Sequence, residues 1–472
     1  MSIFIDREVE MNALKRRFNS DNAEFLIIYG RRRVGKTELI KQFYAKNPHV
    51  YYLCTKSNDL EQMKNMAKRV AENFNERVPE LNSWEEFFSY LADKTKEKRL
   101  VFVVDEYPYL RAANGAIPSI FQLGWDEYLN KTKIFLILCG SSISVMEEEL
   151  SYRAPLYGRR TGQIRLEPLS FADSVRFFPT YDMRNKVYAY SILCSIPMYL
   201  LEFNPEADIL SNISEHILRK DSILYEEPVF LLREELREPD TYSRIFEVLA
   251  LRCAKLSDIA GKIGLDQHKL PKYLGVLIKL NYIEKLSPVT VKKPKSKQTR
   301  YILKDNFFRF WYHYIYPNRS DIEGENKDKV LALIKADIDR YTSIVFEGIC
   351  MQLLKNFNQS NMLPFTFSAI GTWWGHHRQN GKRLEVEIDL VAIEKNKKEV
   401  LFVECKWADL REMECRTILA ELKEKSKYVD YPRKAEYFGL FGRKIHGKEN
   451  LRNEGFVVFD LDDVERLIKP SK

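Results

Sequence analysis

What the 472-residue chain lacks narrows what it can be. No apolar run approaches the ~18 residues that a membrane-crossing helix needs, so no membrane span is expected. The opening stretch MSIFIDREVE is polar at once and holds no apolar h-region, so no secretory leader is expected either. The seven cysteines, at 54, 139, 194, 253, 350, 405 and 415, are scattered, and none forms a CxxC or other metal-spaced pair. Several lie within apolar segments, where cysteine behaves as a small hydrophobe, which points to a reducing, cytoplasmic compartment. A strong excess of one charge is missing too: 75 Lys and Arg against 67 Asp and Glu leave +8. That balance permits nucleic-acid binding without arguing for it, so where the basic residues cluster matters more. What remains is the composition of a soluble globular protein, with 45% hydrophobic and 30% charged residues. Its length asks for about three domains rather than one core.

The segment FLIIYGRRRVGKTELIKQF (25–43) reads as an apolar strand, a turn and an amphipathic helix. Its turn, Gly30-Arg31-Arg32-Arg33-Val34-Gly35-Lys36-Thr37, fits G-x-x-x-x-G-K-[ST], the P-loop. Glycines let the backbone curl so that several N–H groups point inward, and the helix N-terminus adds its positive dipole end. Lys36 is then placed to neutralise the outer phosphates of ATP, and the Thr37 hydroxyl to ligate Mg²⁺. A P-loop asks for a second strand ending in an acid, and LVFVVDEYPYL (100–110) supplies Asp105 and Glu106. Asp105 would hold the Mg²⁺ shell and Glu106 would polarise the attacking water. A third strand, KIFLILCGSSISVM (133–146), ends in Ser141 and Ser142, a position that suits a sensor strand placing a polar group between the P-loop and the Asp105–Glu106 strand end.

With FIDRE (4–8), the P-loop, the hydrophobic-DE strand, the polar strand end and APLYGRRTGQIRLEPLSF (154–171), the first part resembles the archaeal ATPase group within the AAA+/STAND NTPases. CSIPMYL (194–200) is similar to that group's G-x-P element, with Ser195 where glycine is usual. The resemblance implies that Phe4 to Arg7 lie near the base, and that an arginine among Arg153, Arg159 and Arg160 faces the phosphates or a neighbouring subunit. It leaves the choice among the three open.

Residues 241–303 read as a helix-turn-helix with a wing. TYSRIFEVLALRC spaces Ile245, Val248, Leu249 and Cys253 helically, Ser257 is the expected N-cap of the next helix, and Gly264 opens the turn. QHKLPKYLGVLIKL places Leu270, Leu274, Leu277 and Leu280 on one face, with Pro271 tolerated in the first turn. A β-hairpin pattern follows whose tip, KKPKSKQTR (292–300), is rich in Lys and Arg and suits contacts to DNA phosphates. The aromatic run FFRFWYHYIYP (307–317) lacks polar alternation and reads as core or interdomain packing.

Near the C-terminus, EIDLVAIEKNKKEVLFVECKW (387–407) reads as two strands joined by a charged turn, yet it places Asp389, Glu404 and Lys406 inside the apolar segments. Glu404 and Lys406 share a strand face, with Cys405 opposite. The D-x14-E-x-K arrangement resembles the PD-(D/E)xK nuclease core, with Glu-Ile-Asp in place of Pro-Asp, and Glu347 fits the acid often donated by that core's first helix. Two carboxylates would hold Mg²⁺ or Mn²⁺, and Lys406 would orient a water or steady developing negative charge. His376 and His377 read as a surface loop, with at most one able to join such a site.

The expected fold is α/β: a P-loop NTPase core (1–170) with a helical lid (171–240), a winged helix-turn-helix (241–318) and a C-terminal α/β restriction-endonuclease-like domain (319–472). The expected function is ATP-dependent handling of DNA, with Mg²⁺-dependent cleavage at Asp389, Glu404 and Lys406, Glu347 as auxiliary ligand, and a possible homo-oligomer or protein partner formed through the ATPase domain. The rival readings are a STAND-type signalling switch and a DNA-binding regulator with an inactive nuclease-like domain.

Overall fold

Runs such as FLIIY, LVFVV and IFLIL have no polar alternation, so a strand built from them must be covered on both faces. The computed structural model does this with five parallel strands: β1 (Glu24–Tyr29), β2 (His49–Leu53), β3 (Leu100–Asp105), β4 (Ile134–Gly140) and β5 (Gly162–Arg165), in the order β2-β3-β4-β1-β5. Every residue of β1, β3 and β4 is buried. In an open parallel sheet ligands sit beyond the carboxyl ends of the strands, and here β1 runs into the P-loop while β3 and β4 deliver Asp105 and Ser141.

The structure describes residues 4–20, 22–251, 254–291, 298–379 and 382–468. The chain forms two units: Met1–Leu169 with Ile196–Met198, and Ser170–Ser195 with Tyr199–Lys472.

In the second unit the helix Pro239–Leu251 buries Ile245, Phe246, Val248 and Leu249. The helix Leu256–Ile263 follows, ended by Gly264 in the left-handed conformation at φ 67° that a glycine favours. Ser257 is not its N-cap. The backbone of Ala254 is paired with Tyr301 by two hydrogen bonds of 3.0 and 2.8 Å, which keeps the chain extended through Lys255 and makes that residue the cap. A third helix, Leu270–Lys279, precedes an antiparallel pair, β6 (Ile283–Leu286) and β7 (Arg300–Leu303). Cys253 and residues 292–297 of the basic tip lie outside the described residues. Phe307, Phe308, Phe310, Trp311, Tyr312 and Tyr314 are all buried, as packing rather than as a stacking platform.

The long helix Lys327–Gln359 leads to a mixed sheet of β8 (Ala369–Gln379), β9 (Lys382–Glu394), β10 (Glu399–Leu410), β11 (Ala435–Ile445) and β12 (Val457–Phe459), ordered β12-β11-β10-β9-β8. Trp373, Ile388, Val391, Val400 and Phe402 of this sheet pack with Leu422 of the helix Glu412–Ser426. His376 and His377 belong to β8 rather than to a loop, because they pair with Glu385 and Leu384 of β9. Among the described residues no helix is long and apolar enough to cross a membrane.

Candidate functional site

Left-handed backbone at Arg33 (φ 69°) and Gly35 (φ 92°) curls the P-loop at the start of the helix Lys36–Tyr44, the kind of backbone alternation that forms anion-binding nests of N–H groups. Lys36 is buried, and its ammonium donates to the carbonyls of Gly30 and Arg31 at 2.9 Å each. Burial lowers its pKa, while the nearby Cys139, Glu106 and Asp105 oppose that effect. The loop is bolted from outside by Arg7, whose buried guanidinium donates to the Val34 carbonyl at 3.1 Å and to the Glu167 carbonyl at 2.8 Å. Asp105 accepts from the Thr37 hydroxyl at 3.0 Å, the Tyr51 hydroxyl at 2.7 Å and the Glu106 N–H at 2.9 Å. Ser141 donates to Glu106 at 2.9 Å, and Glu106 itself sits in a left-handed conformation, φ 51°, that a glutamate adopts only under constraint. A threonine hydroxyl bonded to an aspartate at the end of a buried strand is a hard-oxygen pair that suits Mg²⁺, and the curled loop suits the phosphates it would accompany.

The second constellation forms where β9 leaves β10. The ladder between them ends at Val403 and Leu390, after which β9 pairs with β8 alone. The register also skips there: Gly371 faces Val391 but Trp373 faces Ile388, so Asp389 and Leu390 share one partner position in a bulge. The Asp389 carboxylate takes the Cys405 N–H at 2.8 Å. Lys406 donates to Glu404 at 2.6 Å and stands 3.6 Å from Asp389. Glu404, only 2% exposed, is bonded on its other oxygen by Lys425 at 2.7 Å. Burial opposes its ionisation, but Lys406 and then Lys425 outweigh burial and hold the carboxyl below its usual range. Asp389 moves the other way, pushed up to about 6 by burial and by the Glu404 charge. Glu347, on the helix Lys327–Gln359, is pushed up to about 8 by burial and by Asp389 and Glu387. Burial works against the charge of Lys406, yet Asp389 and Glu404 raise its affinity for the proton.

Asp389, Glu404, Lys406, Lys425, Glu347 and Glu387 are electrostatically one group, but the expected ligand trio is not preassembled. Among the described residues no three His, Cys, Asp or Glu side chains stand together as a ready metal-ligand set. The physical reason is that lysine nitrogens fill both oxygens of Glu404, so ammonium supplies the offsetting charge. The donor chemistry still fits a hard divalent cation, because Glu347 and Asp389 repel each other and such a cation relieves that repulsion.

Residues 4–203 match a family model described as an ATPase domain predominantly from Archaea, and residues 311–418 match one described as archaea bacterial proteins of unknown function. An uncharacterized protein of Methanocaldococcus jannaschii is 39% identical over 463 residues, which is 98% of this chain and 100% of that protein. The chain belongs to the archaeal ATPase family. An uncharacterized ATP-binding protein of the same organism is 51% identical over 41 residues, 9% of this chain and 70% of that protein. Among solved structures, the Walker-type ATPase PABY2304 of Pyrococcus abyssi has a similar fold, with a TM-score of 0.50 and 20% identity over 66% of this chain and 96% of that one.

Within this archaeal ATPase the three candidate arginines have different surroundings. Arg159 is tied to Asp126 at 2.9 Å, and Arg160 to Gln163 at 3.0 Å and the Tyr157 carbonyl at 2.7 Å. Arg153 is exposed and lines a cavity of about 240 Å³ with Arg111, Glu148 and Glu149. In the CSIPMYL element it is Cys194, not Ser195, that takes the positive φ (62°) glycine would favour, and Met198 receives a 2.8 Å contact from Arg33 of the P-loop. Of the basic tip, Arg300 begins β7, where its side chain ion-pairs with Glu385 and, at 3.1 Å, with Glu387, and lies 4.4 Å from the Trp374 ring. It is therefore committed within the chain rather than offered to phosphate. Sequence reasoning missed Tyr51 and Lys425. Neither falls in a motif, and the one available signal, Lys425 near the end of the helix after E-x-K, is common on any helix.

Proposed function

We propose that this archaeal ATPase acts on DNA, coupling ATP hydrolysis to a Mg²⁺- or Mn²⁺-dependent endonuclease site in its second unit. In the first unit Lys36 would neutralise the outer phosphates, and Thr37 with Asp105 would hold Mg²⁺. Glu106, steadied by Ser141, would take a proton from the attacking water. The segment from Pro239 to Leu303 would serve as a winged helix whose basic tip meets duplex phosphates. In the second unit Asp389 and Glu404 would hold the cation with Glu347 alongside, and Lys406 would steady the charge that develops on the scissile phosphate. Bound there, a divalent ion supplies Lewis-acid charge to the phosphodiester. Assembly through the ATPase domain into a homo-oligomer would place an arginine, with Arg153 the exposed candidate, against a neighbour.

The supporting observation is the bulge that turns Asp389 onto the Cys405 N–H, within 3.6 Å of the same lysine that holds Glu404. A second reading, a domain that grips DNA without cutting it, is favoured by the lysine on each Glu404 oxygen. Plasmid incubated with Mg²⁺ or Mn²⁺, with and without ATP, separates the two. Nicking by the wild type that Asp389→Ala loses supports cleavage. Equal nicking by both clears this site of the cleavage and refutes the first reading, whereas none by either while both retain duplex binding supports the second.

A further inference from the structure

We infer that Tyr51 is a positioning residue of the ATPase site, fixing the Asp105 carboxylate so that the Thr37 hydroxyl and the Mg²⁺ shell meet it in one orientation. The reasoning begins on β2, where side chains alternate between faces, so Tyr51 and Tyr52 point opposite ways. β2 pairs with β3 in parallel, Tyr51 beside Val103 and Leu53 beside Asp105, which brings the Tyr51 ring along the strand toward the acid. Its hydroxyl donates to Asp105 Oδ2 at 2.7 Å, and Thr37 Oγ1 donates to the same oxygen at 3.0 Å. The other oxygen, Oδ1, takes the Glu106 N–H at 2.9 Å.

The carboxylate is thus held at both ends, and each bond has a distinct consequence. The Thr37 bond spends that hydroxyl's proton on Asp105, so the lone pairs of Thr37 stay free for a cation. The Glu106 bond holds Oδ1. The Tyr51 hydroxyl is a second donor on Oδ2 beside Thr37, and it stiffens the carboxylate further against rotation about the Cβ–Cγ bond. The Tyr51 ring is in turn steadied by Tyr44, whose centroid lies 6.1 Å away and which itself stacks on His49 at 3.9 Å. Outer-shell partners of this kind typically change metal affinity by about 10–100-fold when removed.

The test is Tyr51→Phe, which keeps the ring and deletes the one hydroxyl, with Tyr52→Phe as control on the opposite face. Binding of a fluorescent ADP analogue is titrated with Mg²⁺, and again in EDTA. Tyr51→Phe should raise the Mg²⁺ concentration for half-maximal tightening about 10-fold, with EDTA binding unchanged within about twofold and Tyr52→Phe behaving as wild type. The shift in melting temperature on adding ADP with Mg²⁺, relative to ADP with EDTA, gives a readout without turnover and should shrink in the same variant. An unaltered Mg²⁺ midpoint overturns the assignment. So does an equal loss of binding in EDTA, which would make Tyr51 a packing residue for the P-loop.

Discussion

Glu347→Gln probes the acid cluster most directly, because it removes one charge and changes almost no volume. In the folded chain burial and the charges of Asp389 and Glu387 push the Glu347 carboxyl from 4.5 up to about 8. Between those values the folded chain keeps a proton that the unfolded chain releases, so stability falls as pH rises from about 4.5 and the loss is complete above about 8. At about 1.4 kcal/mol per tenfold change in proton affinity, the whole displacement corresponds to about 5 kcal/mol. Glu347 is only partly shielded from water and shares its titration with Asp389, so about 2 kcal/mol is the expected share of this residue. A glutamine cannot ionise and escapes that loss. Melting of metal-free protein from pH 5 to 9, followed in the transition of the second unit, should therefore show the variant overtaking wild type by about 4–8 °C above pH 8. Adding Mn²⁺ at pH 8.5 should narrow the gap by raising wild type, since a cation offsets the charge that protonation no longer removes. Profiles that run parallel across the range would refute the claim that Glu347 faces the other acids.

Arg300→Ala should cost about 2 kcal/mol, read as a fall in the urea midpoint, because its side chain is only 11% exposed between two glutamates. The slope of duplex affinity against salt should stay unchanged, since a residue committed to Glu385 and Glu387 releases no counterion from DNA. Gly30→Ala should remove nucleotide binding and lower stability by about 3 kcal/mol, because the added Cβ would lie 2.3 Å from the Leu166 carbonyl oxygen; calorimetric nucleotide titration and urea melts check both.

The parts legible in the sequence were those governed by short-range rules. The P-loop, the acid at the end of β3 and the serine after β4 each follow an unbroken apolar run, and the parallel sheet delivers all three to one edge. The buried aromatics of 307–314 were legible for the same reason, since a run without polar alternation has no wet face. What was not legible depended on partners distant in the chain. Ser257 has a good N-cap side chain, but Tyr301, 44 positions on, pins Ala254 and moves the cap to Lys255. The basic tip read as one patch, yet Arg300 is drawn off by acids more than 80 positions away.

The same distinction explains how a sheet tolerates Asp389, Glu404 and Lys406 in its interior. The acids are visible in a strand pattern, and their spacing already marks them as a constellation. Their tolerance rests on groups that no strand pattern contains. Lys425 comes from a helix to close the second oxygen of Glu404, and the bulge at Asp389 lets a backbone N–H answer that carboxylate. Glu347 alone among the three acids is given no ammonium within ion-pair distance among the described residues, and it is the one whose proton affinity rises most. A site with two acids answered by lysine and backbone and a third left to hold a proton is poised: whatever brings positive charge to Glu347 must displace that proton. Cation binding there should accordingly release about one proton near pH 7, and Glu347→Gln should abolish that release while leaving the Glu404 lysine pairs intact.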